Sequence, residues 1–537
     1  MDLCRGRLCL ESKGEGIYLL YFALMTGARA AGLYEGKMVY TVLLVIGMLL
    51  LMWKIMLSKF SVIEYAITFL LFFVSVMVYF HTGEKGLVVC FATLLGMKAV
   101  SVRKTIEVGA IVAGTIVVLK LLLGIFGFSS EIYYPQERAG VGMMFRHAFG
   151  YAHPNTMHMN VLMLSMMFVY LLTIFLREKN KNNTIILVLF SFLIFLFNIY
   201  IFQYSGSRTG ILVCFMYLVI NLWLYIIDKI GLLEKMIAYM AFPMVSFVTI
   251  VMPFIVNDKL FDILNSTVFH SRFRLAKYFW SNNTISLWGI RLNNPDPFAE
   301  RYGIDMAQLY LFLQLGIIAF IVVSILSIWF IYECIKYDRR AELAVMLSML
   351  CLGMWEPLLY NLGFKNFTYV FMGAMLYGII NKDMRCFEDS EGLFGNDAWV
   401  NICISNQTIL KRIGRAYAVS LLIGVCTSLI YVVMTTEPAA LYGDREQGES
   451  GNSFGMEPLY LSEAQIKEYK SAGDIIIGYV DDTVPMYRYD ETIAHMEYQK
   501  RIISVGVWCA IISAMIQLSR LSYNSRRGLL NKSDSKE

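Results

Sequence analysis

Two short stretches of the sequence combine arginine with histidine, hydroxyl and turn-forming residues, a mixture that could hold an anion. The first runs from Arg146 to Asn155 and reads Arg-His-Ala-Phe-Gly-Tyr-Ala-His-Pro-Asn. The second covers residues 204–210 and reads Tyr-Ser-Gly-Ser-Arg-Thr-Gly. Each stands where a long apolar segment meets a polar one. Because a guanidinium at the boundary of a membrane is costly without a partner, Arg146 and Arg208 are candidates for a functional site.

The first stretch has the residues of a turn that leads into a helix. Gly150 permits the turn, Pro154 suits the first helical turn, and Asn155 can satisfy free backbone N–H groups there. Arg146 and His153 are then expected near the outer mouth of the helix that follows. The alternative is a loop arginine that reaches the membrane interface beside a capping motif.

The second stretch joins two apolar segments with almost no loop, so Arg208 is expected at the outer membrane boundary. Ser205, Ser207 and Thr209 offer hydroxyl groups around it. Such a cluster can bind a phosphate through a helix N-terminus and a bidentate arginine. A tight helical hairpin with an interfacial arginine remains the alternative.

Further charged residues lie beyond these stretches. His270, Arg272 and Arg274 occupy a long loop that is predicted to lie outside the cell, where they could bind an anion or contact lipid headgroups. Glu356 is the acidic residue near the outer end of a later apolar segment. It could pair with an arginine for structural reasons or act as a base.

The elements that must position these residues are membrane helices. The chain is 58% hydrophobic and 16% charged, and its mean hydropathy is +0.58. Its apolar runs have the length that crosses roughly 30 Å of hydrocarbon. We therefore predict an all-α polytopic membrane protein with about fourteen spans, at residues 17–35, 39–57, 61–80, 86–101, 107–128, 155–176, 184–203, 209–228, 233–256, 306–333, 341–360, 365–381, 412–434 and 503–521.

The charges between these spans predict the orientation. Lys and Arg cluster in alternate loops, which places both termini in the cytoplasm. We predict three regions: a membrane-embedded core over 1–380, a cytoplasmic linker over 381–411, and a two-helix module over 412–537 with an acidic exterior segment at 435–500. All six histidines then fall outside or at the outer boundary, which favours an outward-facing site.

Several motifs are absent from the sequence. It contains no Asp-x-Asp pair of the kind that clamps Mg²⁺ in nucleotide-sugar transferases, no Walker loop, and no His-Glu-x-x-His pattern. We expect no metal, no cofactor and no nucleic-acid partner.

The motifs resemble those of the O-antigen ligase and Wzy-type polysaccharide polymerase superfamily. The resemblance covers roughly residues 30–380, and Ser-Arg-Thr-Gly is its most specific part. The tail is faintly similar to chain-length co-polymerases. His270-Ser271-Arg272 stands where the family more often has Ser-Gly-Arg. The matching features are His-Pro-Asn after Arg-x-x-x-Gly, Tyr-x-Gly-Ser-Arg-Thr-Gly one hairpin later, Ser271-Arg272, Trp288-Gly289, and Asp305 leading to Tyr310 and Gly316.

The resemblance implies a GT-C-like fold and a metal-independent glycosyltransferase in the bacterial cytoplasmic membrane. Its substrates would be oligosaccharide repeat units on undecaprenyl diphosphate, as donor and acceptor, which it would polymerise at the outer face into a capsule or exopolysaccharide. A chain-length regulator is a possible partner, and membrane lipids surround the chain. The expected roles are pyrophosphate binding for Arg208 and Arg272, with Arg146 and Arg274 as secondary candidates, a general base among His153, His270 and Glu356, and support from Asn155, Ser205, Ser207, Thr209 and Asp305.

Two other functions stay open. A ligase would transfer the finished glycan to a different acceptor, and the motifs do not separate it from a polymerase. A transporter or flippase of the same lipid-linked glycan would need a polar path through the membrane. Charges within the predicted spans are sparse, which favours chemistry at one face; they are Arg29, Glu64, Lys120 and Glu342.

Overall fold

A computed structural model gives the structure of the chain. It describes residues 2–33, 37–125, 133–138, 142–178, 184–293, 303–361, 365–388, 407–436, 440–444, 456–460, 476–477, 487–489, 498–499, 501–517 and 520. Most of the predicted linker and the charged side chains of the acidic segment 435–500 therefore lie outside the described residues.

Helices dominate the described residues, and each predicted span overlaps one of them. The longer helices are α1 (Asp2–Ala30), α2 (Met38–Leu57), α3 (Val62–Thr82), α4 (Gly86–Leu95), α5 (Val102–Ile125), α6 (Pro154–Glu178), α7 (Thr184–Ser205), α8 (Arg208–Ile226), α9 (Leu232–Ser246), α12 (Arg272–Asn282), α14 (Ile317–Lys336), α15 (Arg340–Leu352), α16 (Thr368–Ile380), α18 (Gln407–Met434) and α19 (Arg501–Gln517). The short helices are α10 (Met252–Ile255), α11 (Asp258–Ile263), α13 (Ala307–Leu309) and α17 (Arg385–Glu388).

Nine helices of the described residues are long and apolar enough to cross a membrane. Three shorter apolar helices, α4, α16 and α19, accompany them. The chain is thus a multi-pass membrane protein, by helix length and hydropathy. Among the nine, α6 is 72% buried over its most apolar window, whereas the others are 11–39% buried. Lipid-facing helices keep apolar side chains exposed in the protein alone, so the high burial of α6 indicates that protein rather than lipid covers most of it.

Two predicted spans are shorter or more broken than the hydropathy pattern indicates. The span predicted at 306–333 is interrupted at Gly316, which has φ +95°, and α14 begins after it. A Cβ atom at Gly316 would overlap the backbone nitrogen of Gly289, so only glycine permits this close approach. The span predicted at 341–360 ends as a helix at Leu352, and the chain then turns through Trp355 into a 3₁₀ turn at Pro357–Leu359.

The chain divides into two compact units. Unit 1 comprises Met1–Val117, His158–Gln203 and Ser207–Leu393, and unit 2 comprises Val118–Met157, Tyr204–Gly206 and Phe394–Glu537. The His-Pro-Asn segment belongs to the unit that holds the C-terminal residues, and the predicted core, linker and two-helix module stay predictions.

Unit 2 contains short strands and a helix pair. Strands β1 (Tyr133–Arg138) and β2 (Gly142–His147) form an antiparallel hairpin, and β3 (Ala440–Asp444), β4 (Met456–Tyr460), β5 (Ile476–Ile477) and β6 (Tyr487–Tyr489) form a sheet in the order β4-β3-β6-β5. Helices α18 and α19 approach closely at two glycines: a Cβ atom on Gly424 would lie 2.7 Å from the carbonyl oxygen of Gly506. Small residues at such a contact are typical of membrane helix pairs.

Candidate functional site

An irregular segment before α12 sets the position of Arg272 in unit 1. A π-helical turn at Leu264–Val268 is followed by His270 and Ser271, which have φ +44° and +70°. Positive φ is uncommon for residues with a side chain and costs energy that the surroundings must supply. Here the Ser271 N–H donates to the carbonyl oxygen of Asn265 at 2.8 Å, and α12 begins at Arg272. Strain of this kind is found at functional sites, which makes the segment a candidate for one.

The Arg272 guanidinium lies between two carboxylates. Its Nε is 3.6 Å from Oδ2 of Asp305, and its Nη2 is 3.7 Å from Oε1 of Glu356. Charge-assisted hydrogen bonds are usually about 2.7–2.9 Å long, so both pairs are loose. The tightest contact of the guanidinium is a 2.7 Å hydrogen bond from Nε to the carbonyl oxygen of Trp355. Arg272 is thus held in place by the Trp355 carbonyl oxygen, and neither carboxylate makes a short charge-assisted hydrogen bond to it.

The Trp355 side chain supports this arrangement. Its Nε1 donates to the carbonyl oxygen of Val268 at 3.0 Å, and its ring stacks against Phe269 at 6.2 Å. Phe269 in turn stacks on Phe273 of α12 at 4.1 Å. The aromatic contacts therefore fix the backbone on both sides of Arg272.

Arg208 meets the same segment from α8. It is exposed at the first position of that helix, and its Nη1 lies 3.3 Å from Nε2 of His270. Nδ1 of His270 lies 3.0 Å from the carbonyl oxygen of Ser266. A carbonyl oxygen only accepts, so Nδ1 carries the proton and Nε2 accepts from the guanidinium. Arg208 thereby contacts His270, which lies two positions before Arg272 in the chain.

Other predicted residues of unit 1 have more peripheral positions. Arg274 lies exposed on α12, and its backbone N–H donates to Oδ1 of Asn265 at 3.0 Å. Ser207 is buried before α8, and Thr209 is half-buried within its first turn. Neither Arg274 nor Thr209 is brought to the Arg272 guanidinium by a contact that the structure shows.

Arg146 belongs to unit 2 and is buried there. Its Nε donates to the carbonyl oxygen of Ser205 at 2.6 Å, and its Nη2 donates to Oδ1 of Asn155. The guanidinium therefore ties the end of β2 to the end of α7 and to the start of α6. Close by in the chain, the His147 ring packs against the rings of Phe149 and Tyr204.

His153 precedes α6 and is built into the start of that helix. Its Nδ1 accepts a hydrogen bond from the backbone N–H of Asn155 at 3.1 Å. Burial lowers the pKa of His153 to about 4, and the charge of Arg146 acts in the same direction. A neutral imidazole with this pKa whose Nδ1 already accepts a bond is a poor proton acceptor at neutral pH. The geometry therefore favours a capping role for His153 over the predicted role as a base.

Asp305, which was predicted as a supporting residue, lies beside the Arg272 guanidinium. Partial burial raises the pKa of this carboxyl above its ordinary value, and Arg272 opposes that rise. Such a carboxylate accepts a proton more readily than one that is fully solvated. The sequence did not single out the carbonyl oxygen of Trp355 or the buried Lys365, which is electrostatically linked to Glu356. Lys365 could have been found from the sequence, because it is a lysine at the predicted outer end of an apolar segment.

Within the described residues, no three His, Cys, Asp or Glu side chains group in a way that could hold a metal ion. Comparison of the chain with protein-family models, with curated proteins and with solved structures finds no match.

Proposed function

We propose that the protein polymerises oligosaccharide repeat units carried on undecaprenyl diphosphate, at the outer face of the cytoplasmic membrane. The proposal is carried by one observation: Arg208 binds His270, and Arg272 follows two residues later with two loose carboxylate partners. Two guanidiniums at one segment of a multi-pass membrane protein can bind a lipid-linked diphosphate, because each guanidinium forms charge-assisted hydrogen bonds with phosphate oxygens. The sequence motifs that resemble the polymerase and ligase superfamily support the same substrate.

The proposed reaction transfers a glycan from one lipid diphosphate to a hydroxyl of the next repeat unit. The acceptor oxygen forms a bond to the anomeric carbon, while the bond from that carbon to the phosphate oxygen breaks. The lipid diphosphate leaves with the electron pair of the broken bond. Arg208 and Arg272 stabilise the negative charge that develops on it, which is the usual way in which fixed donors lower such a barrier.

The proton of the acceptor hydroxyl needs a base. Among the three predicted candidates, Glu356 fits best because its carboxylate lies beside Arg272, where the leaving group would be held. The Nε2 of His270 already accepts from Arg208, and His153 caps α6. Asp305 is the second carboxylate at the same guanidinium. We therefore assign Glu356 as the base and Asp305 as a residue that positions Arg272.

The proposal is tested by replacing Arg208 with lysine in the native host. A lysine keeps the charge but cannot form a bidentate fork with phosphate. We expect loss of long surface polysaccharide and accumulation of single lipid-linked repeat units at the outer face, with normal amounts of the protein in the membrane. The matched control is Arg385→Lys, because the Arg385 side chain is 80% exposed and belongs to α17.

The rival functions give different products in the same experiment. Loss of a ligase leaves long lipid-linked polymer that is not transferred to its acceptor. Loss of a flippase leaves repeat units at the inner face. Polymer of normal length in the Arg208→Lys strain would contradict the proposal.

A further inference from the structure

Unit 1 contains a partly open cavity of about 40 Å³ whose lining residues differ from those assigned to the diphosphate. Two cationic side chains, Arg29 and Lys365, line it, and the described lining contains no carboxylate. Thr26 and Asn366 add polar groups to the lining, and most of the remaining wall is apolar. The cavity is therefore a cationic recess with polar donors among apolar walls.

Lys365 is the more unusual of the two cations. It is 5% exposed, and it precedes α16. Burial and, to a smaller extent, the positive charge of Arg29 lower the pKa of Lys365 to about 7, while Glu356 opposes this shift. Two like charges at one desolvated recess are unfavourable unless an anion lies between or beside them. The arrangement is thus suited to an anionic ligand.

Arg29 is held at the end of α1 by groups outside the recess. Its Nη1 donates to the carbonyl oxygen of Leu33 at 2.6 Å, and its guanidinium lies 5.6 Å from the centre of the Tyr40 ring. Asn366 is also fixed, because its Nδ2 donates to the carbonyl oxygen of Leu359 at 3.2 Å and its Oδ1 accepts from the N–H of Thr368 at 3.2 Å. The walls of the recess are therefore preorganised, which lowers the cost of binding.

The volume of the recess limits the size of the anion. A cavity of this kind holds one water for each ~10–15 Å³, so the recess has room for roughly three waters. A carboxylate group has three heavy atoms and fits this space, and because the recess is partly open the sugar that carries the group stays outside it. A guanidinium and an ammonium are both suitable donors to a carboxylate.

We propose that the Arg29–Lys365 recess binds a carboxylate, and that the group belongs to an acidic sugar of the glycan. The identity of the sugar rests on the proposed function, whereas the binding of a carboxylate does not. Glu356 connects the two places, since its charge acts on Lys365 and its Oε1 lies 3.7 Å from Nη2 of Arg272. Arg29 and Lys365 would thus bind the carboxylate of an acidic sugar of the repeat unit close to Glu356, the proposed base.

The test uses the full-length protein in nanodiscs of neutral lipid, with glucuronate as the probe and glucose as its uncharged counterpart. Binding is followed by ligand-observed NMR. We expect glucuronate to bind and glucose not to bind. Lys365→Gln should weaken glucuronate binding roughly tenfold or more, the usual effect of losing a hydrogen bond to a charged group. The matched control is Lys229→Gln, because Lys229 is exposed between α8 and α9.

A second variant keeps the test decisive if Lys365→Gln does not fold. Thr26→Leu retains both cations and enlarges a side chain that lines the recess, so it should also abolish glucuronate binding. Equal binding of glucose and glucuronate would overturn the proposal, as would unchanged affinity in both variants. Inorganic phosphate that binds more tightly than glucuronate would overturn the choice of a carboxylate. No lipid-linked substrate is present, so failure here is distinct from failure of the polymerisation test.

Discussion

Nη1 of Arg208 lies 3.3 Å from Nε2 of His270, although the two residues are 62 positions apart in the chain. The contact brings the first residue of α8 to the irregular segment that ends at Arg272. Arg208 and Arg272 therefore both lie at the segment of residues 270–272, although they are not bonded to each other.

Glu356 is expected to be the base of the transfer reaction. Glu356→Gln keeps the shape of the side chain but removes its ability to accept a proton. We expect kcat for polymer formation to fall roughly a hundredfold or more, the usual contribution of a general base. The measurement is polymer formation from purified lipid-linked repeat units. Asp305→Asn should have a smaller effect, and a Glu356→Gln enzyme with unchanged kcat would exclude this role.

His270 is expected to position Arg208 through its unprotonated Nε2. Asparagine also offers an acceptor, whereas phenylalanine offers none. His270→Asn should therefore retain most of the affinity for undecaprenyl diphosphate, and His270→Phe should lose a large part of it. Binding can be followed by native mass spectrometry of the protein in nanodiscs. Equal affinities of the two variants would show that the acceptor at Nε2 does not position Arg208.

His153 is expected to make the stability of the protein depend on pH. The pKa of His153 is about 4 in the folded protein and about 6.5 when unfolded. The unfolded state therefore binds more protons between these values, and stability falls as the pH drops from about 6.5 to about 4. His153→Asn keeps an acceptor for the helix start, so its Tm should fall less between about pH 7 and about pH 5 than that of the wild type. An equal fall in both proteins would contradict this prediction.

Lys365 is expected to make carboxylate binding depend on pH. With a pKa of about 7, the ammonium of Lys365 is protonated below this pH and loses its charge above it. Glucuronate affinity should thus decrease as the pH rises through about 7. Lys365→Arg stays protonated throughout, so its affinity should change little over the same range. An identical pH profile for both proteins would show that Lys365 does not contribute its charge.

Hydropathy was sufficient to predict a multi-pass helical membrane protein, because a long apolar run leaves few alternatives. Helices α2, α6 and α7 lie within a few residues of the predicted spans. The same pattern failed where the backbone responds to close contacts, as at Gly316 and after Leu352. The periodicity of apolar residues does not show that the backbone at Gly316 must approach the backbone at Gly289.

The sequence could predict which types of residue form the candidate site, but not which of these residues contact each other. An arginine at the end of an apolar segment pointed to Arg208, and the basic residues of the long exterior loop pointed to Arg272. The sequence could not show that Arg146 is bonded within unit 2, or that Asp305 and Glu356 both flank Arg272. These contacts join residues far apart in the chain, and only the packing of the helices brings them together.

The affinity for undecaprenyl diphosphate decides whether Arg208 and Arg272 hold the leaving group. Native mass spectrometry in nanodiscs should show that the wild-type protein and Arg385→Lys bind the diphosphate more tightly than undecaprenyl monophosphate. Arg208→Lys and Arg272→Lys should each lose roughly tenfold or more, because each replaces a bidentate donor by a point charge. Affinities for the diphosphate that are unchanged in both variants would contradict the account.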